Sequence, residues 1–171
     1  MRKLWYLFVL VLGTMIGLPA TAVATPPETG HFPIEEHIAV LEPESSVCGF
    51  PVSLDISGQG TFQVFFDADG NPTGAHVTEV ISGELSANGI TLVSRSADNL
   101  HFDFTENTVV ETGLVFQYQL PGTGVVLMDR GRLVWNIDPE TGEMIGEPVF
   151  EAGPHPQLHG DYGDLCAALT P

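Results

Sequence analysis

Hydrophobic and polar residues alternate along most of this chain, and the period is two. From Val47 to Gly58, Cys48, Phe50, Val52, Leu54 and Ile56 fall on one side, with Gly49, Pro51, Ser53, Asp55 and Ser57 on the other. That pattern predicts a half-buried opening strand. Ser57-Gly58-Gln59-Gly60 reads as a turn, and Phe62, Val64 and Phe66 continue on a second strand. Asp67 to Pro72 is dense in turn formers, Thr73 to Leu85 is a longer strand bent at Gly74 and Gly83, and Asn88-Gly89 is the strongest hairpin signal in the chain. Shorter strands follow over Ile90 to Ser94 and Leu100 to Phe104. Longer alternation over Val110 to Leu120 is succeeded by Val125 to Asp129, Arg132 to Ile137 and a weaker Met144 to Phe150.

Between Val47 and Phe150 no stretch of ten residues keeps a helical period free of glycine or β-branched interruption. The expected fold is therefore all-β: an antiparallel meander of about eight strands forming a barrel or a sandwich. Asp164 ahead of Leu165-Cys166-Ala167-Ala168-Leu169 favours a minor helix at the C-terminal end over the alternative of a closing strand.

The flanks change the picture. Met1-Arg2-Lys3, the apolar run Leu4 to Leu18 and Ala22-Val23-Ala24 predict a secretory signal peptide over residues 1–24. Pro19 closes the apolar run before it reaches the roughly 20 residues of a membrane span. Residues 25–46 lack sustained periodicity and read as a flexible acidic arm, which leaves 47–171 as a single β domain. The expected location is secreted, extracellular or associated with the cell envelope.

Charge narrows the function classes. Without residues 1–24 the chain has Arg95, Arg130 and Arg132 against 22 carboxylates, hence a formal charge of −19, and no lysine. So negative a surface disfavours nucleic acid and anionic membranes. The absence of lysine removes Schiff-base chemistry, the Ser-x-x-Lys nucleophile and the phosphate-loop lysine.

Two cysteines in an exported chain predict a disulfide, Cys48 to Cys166. Closing a loop of about 120 residues is worth on the order of 5 kcal/mol in the chain-entropy picture.

Candidate chemistry is sparse. Asp67-x-Asp69-Gly70-Asn71 resembles a calcium loop, but its glycine stands fourth and Thr78 occupies the place of the twelfth-position glutamate, so a turn is the better reading. His155, His159 and Asp161 are the best metal candidates, although Pro154 and Pro156 oppose the helix that would bring both histidines together. His31, Glu35, Glu36 and His37 read as solvated residues of the acidic arm. His76 and His101 sit in strand patterns and could act as acid and base opposite Glu79, Asp103 or Glu111. Phe62, Phe66, Phe102, Phe104, Phe116, Tyr118 and Trp135 recur at strand period and line either a core or a ligand cavity. No Gly-x-Ser-x-Gly, His-Glu-x-x-His or phosphate-loop signature occurs, and no cofactor is implied.

Cys48-Gly49-Phe50-Pro51-Val52, the glycine-punctuated strands, the Asp138 to Gly142 turn and Leu165 to Leu169 resemble a group of small secreted actinobacterial proteins of uncharacterised function. The resemblance implies export, a disulfide and an all-β fold. The functional expectation is a non-catalytic binding or envelope-associated protein. The alternatives are a carrier of small apolar ligands and, by fold analogy, a small-barrel cyclase or isomerase.

Overall fold

The structure is a computed structural model and describes residues 25–171; the expected signal peptide lies outside the described residues. Seven strands run in chain order: β1 (Glu28–Ile38), β2 (Ser53–Phe66), β3 (Pro72–Ala87), β4 (Ile90–Asp103), β5 (Thr108–Leu120), β6 (Gly124–Ile137) and β7 (Met144–Ala152). Two short helices, α1 (Glu44–Cys48) and α2 (Gly163–Ala168), flank the sheet in sequence. Every strand pairs antiparallel with its neighbour in the chain, in one sheet of order β1-β2-β3-β4-β5-β6-β7. The expected all-β meander is present. Its first and last strands form the two edges and are not bonded to each other.

Period-two alternation turns one face of this sheet inward. Leu54, Leu85, Leu92, Tyr118 and Leu127 gather at one end, the upper, with Leu41, Val52, Tyr162, Leu165 and Leu169 from the segments outside the sheet. At the other end Val64, Ala75, Val77, Phe102, Val109 and Ile137 form a second cluster, against which Phe32, Phe62 and Trp135 pack. Loops at the sheet ends use their turn chemistry as expected. Asn88 and Gly89 both take positive φ, 52° and 80°, as a two-residue hairpin demands.

Three expectations are corrected. Residues 25–46 are not a flexible arm. Glu28 to Ile38 pairs along its whole length with β2, Ile34 is buried, and Phe32 and Ile38 pack on the two clusters. Pro33 and the charges hid this alternation, yet an edge strand tolerates both. Cys48 does not open a strand: Glu44 to Cys48 is helical, and Gly49 at φ 76° ends it by donating its N–H to the Ser45 carbonyl. Phe50 and Val52 still join the upper cluster, which explains why their spacing mimicked a strand.

The third correction concerns glycines taken as turns. Gly58 and Gly60 lie inside the continuous β2, and the two expected strands over 90–94 and 100–104 are one, β4. Phe32 crosses Gly60 and Phe62 crosses Gly30, so that a Cβ at either glycine would run into a ring. At Gly58 and Gly83 a Cβ would strike the carbonyl of Val80 or Asp55 on the neighbouring strand. These glycines permit close approach of backbones and the bending of a long sheet.

Candidate functional site

The disulfide joins Cys48 at the end of α1 to Cys166 in α2, with Cα atoms 5.2 Å apart across 118 residues of sequence. It ties the two segments that cover the upper cluster to each other. The α2 turn was expected, but Tyr162, not Asp164, stands at its N-cap and no side chain caps it.

His155 and His159 do not converge. His155 turns inward, its Nδ1 2.6 Å from Asp129 Oδ1, with both side chains buried. His159 faces solvent and meets Glu151 at 2.8 Å. Among the described residues no group of three or more His, Cys, Asp or Glu is placed to hold a metal ion. The Asp67 loop is a turn: Oδ1 accepts the N–H groups of Asp69 and Asn71, and Oδ2 accepts the Asn71 amide. These bonds hold the Asp67 carboxyl below its usual range, the Asn71 amide contributing most.

The seven aromatics divide between the two clusters. Phe62, Phe66, Phe102, Phe104 and Trp135 belong to the lower one, whereas Phe116 and Tyr118 stack in the upper one with centroids 5.7 Å apart. Between the clusters the inward face carries carboxylates. Glu79 on β3 lies directly opposite Asp98 on β4, and Glu111 on β5 and Asp129 on β6 continue the same face. Burial, reinforced by the charge of Asp98, pushes Glu79 and Glu111 up to about 7. Asp98 itself is pushed up to about 6 by burial, against the opposing hydrogen bond from Ser96. Asp129 is raised by burial too, with His155 offsetting part of the effect. Glu111 is lowered somewhat by the neighbouring Trp135 indole, which makes no hydrogen bond of normal geometry.

His76 and His101 stand on the opposite, outward face, so Glu79 and Glu111 are separated from them by the sheet itself. The carboxylates were legible in principle, since each occupies the strand parity of Val77, Leu100 or Val109. A charge at a core-parity position was the missed signal.

The outward face holds an open groove of about 550 Å³ over β3 to β6. Its floor is a register row, Thr78, Asn99, Thr112 and Arg132, one residue from each of four adjacent strands. With strands roughly 4.8 Å apart, the row spans about 14 Å. Thr78 Oγ1 donates to Asn99 Oδ1 at 2.9 Å. His76 and His101 border the row on one side. Arg132 lies over the Phe150 ring, 5.5 Å from its centroid, and makes neither an ion pair nor a hydrogen bond with any described residue. Arg95 and Arg130 share this face and its exposure, so all three arginines of the described chain lie on the outward face.

No family model, curated protein or solved structure matches this chain. The site has to be read from its own geometry. A disulfide spans the domain, and no described helix is long and apolar enough to cross a membrane. The disulfide fits an extracellular setting.

Proposed function

We propose that the protein is an exported, non-catalytic binding domain, and that the outward groove holds a hydroxyl-rich ligand such as a glycan of the cell envelope. Arg132 carries the reading. In a chain of 22 carboxylates and five basic residues, a guanidinium without an acidic partner beside a row of Thr and Asn is a set of unused hydrogen-bonding groups. Sugar hydroxyls both donate and accept, which suits Thr78, Asn99 and Thr112, and the strong negative charge of the chain disfavours a polyanion. An open, four-strand groove also suits an extended polymer better than an enclosed apolar ligand. A catalytic reading requires an accessible base oriented by a carboxylate. Neither groove histidine is hydrogen-bonded to a described carboxylate, and the His155–Asp129 pair is enclosed.

Co-sedimentation with purified peptidoglycan sacculi tests this. The mature protein is expected to pellet with the sacculi, and Arg132→Ala to bind at least about tenfold more weakly, as loss of a charged hydrogen bond implies. A protein that stays in the supernatant, or an Arg132→Ala variant that pellets as well as wild type, would overturn it.

A further inference from the structure

Of the six histidines, three are partnered by carboxylates: His37 by Asp55, His155 by Asp129 and His159 by Glu151. His76 and His101 are arranged differently. They face each other directly across β3 and β4, their ring centroids are 4.0 Å apart and their planes are tilted by 47°. Neither ring makes a hydrogen bond with a described residue. Both are exposed on the outward face, and an edge-on contact with Phe65, 5.1 Å between centroids, fixes the side of His76 away from its partner.

Two imidazoles held this way make a poor pair of cations. They stand directly opposite each other on paired strands, where like charges repel. No described donor competes for the nitrogens of either ring. Neutral imidazole nitrogens are the preferred ligands of borderline transition-metal ions. Two nitrogens in adjacent positions on one ion stand about 2.8 Å apart in tetragonal geometry and about 3.3 Å apart in tetrahedral geometry, at metal–nitrogen distances of about 2.0–2.1 Å. Rings whose centroids are already 4.0 Å apart reach that spacing through χ2, which is soft for histidine.

We infer that His76 and His101 form a two-histidine site for a divalent transition-metal ion, with Cu²⁺ preferred. Two imidazoles leave the remaining coordination positions to water or to a ligand lying in the groove. Two charged groups bear on the pair: Asp103 on β4, which interacts with His101, and Arg132, which lines the same groove. The one attracts and the other repels a cation. The order among metals follows the general series, with Cu²⁺ ahead of Ni²⁺ and Zn²⁺. The inference goes beyond glycan binding and does not need it.

The test is a titration of the mature chain with Cu²⁺, followed by calorimetry and by paramagnetic broadening of the imidazole resonances. The first equivalent is expected to broaden His76 and His101 before any other histidine. His76→Gln and His101→Gln are each expected to weaken that first binding step at least tenfold, and the double variant no further than either alone. Both positions are exposed, so these substitutions leave the fold in place. His159→Gln should bind as wild type does. If the first equivalent broadens His31, His37 or His159 instead, or if either groove variant keeps wild-type affinity, the site does not exist. Arg132→Ala separates the two readings: it should weaken retention by sacculi at least about tenfold while leaving the first Cu²⁺ step at least as tight as in wild type.

Discussion

Asp98 gives the sharpest handle on the inward carboxylates. Its residue is 7% exposed, and its folded pKa of about 6 stands above the ordinary 3.8. Between those two values the folded chain holds a proton that the unfolded chain has released. Stability must therefore fall as pH rises through that window, and stay low above it. A shift of about two units corresponds to about 3 kcal/mol. Asp98→Asn removes the charge but keeps an oxygen for the Ser96 hydroxyl, 3.1 Å away. It also relieves Glu79 and Glu111, both of which are raised in part by Asp98. Near pH 7.5 the variant should melt higher than wild type by about 6–12 °C, at about 2–4 °C per kcal/mol for a domain of this size. Near pH 4 the two should melt within about 2 °C of each other, because that pH lies only just above the ordinary value of 3.8, where little of the linked destabilisation has developed. Thermal unfolding followed by circular dichroism across that range decides the matter. A wild-type stability that climbs from pH 4 to 7, or a variant no more stable than wild type at high pH, would refute the burial argument.

The disulfide and the glycine contacts yield further expectations. Cys48→Ser and Cys166→Ser should each cost about 2–5 kcal/mol in urea unfolding, and the double variant no more than either; additive losses would mean that the two thiols act independently. Gly83→Ala should destabilise by about 3 kcal/mol or more, since its Cβ meets the Asp55 carbonyl on a paired strand. Gly89→Ala, where a Cβ meets nothing and only the positive φ is strained, should cost about 1–2 kcal/mol. Equal losses at the two glycines would contradict the close-approach reading.

Strand identity and the meander were legible in the sequence because one face of nearly every strand is buried. Val77, Leu85, Leu92 and Tyr118 each appear at the parity that the register assigns to the interior. Glycine was harder to read. At Asn88-Gly89 it makes a turn, but at Gly58, Gly60 and Gly83 it admits a neighbouring strand or ring, and local sequence does not separate the two uses. The edge strand β1 escaped notice for a related reason: an edge carries Pro33 and charges that a central strand excludes. The groove was legible least of all. Thr78, Asn99, Thr112 and Arg132 are unremarkable one by one, and become a row only through the register of four strands.

The same register also separates two kinds of chemistry by one sheet thickness. Alternate positions of β3 place Glu79 inward and His76, Thr78 and Val80 outward; β4 likewise places Asp98 inward and Asn99 outward. The interior thereby takes up carboxylates at a cost in stability that grows as they ionise. The outward face keeps neutral donors and acceptors, three arginines and the paired imidazoles. A one-residue slip of β3 against β4 would exchange these sets, burying His76 and exposing Glu79. The hydrophobic clusters at the two ends of the sheet oppose that slip, because it would also turn Leu85, Val77 and Ala75 out to water. The core that selects the fold is thus what keeps the groove free of carboxylate, and the groove's chemistry follows from packing decided at either end of it.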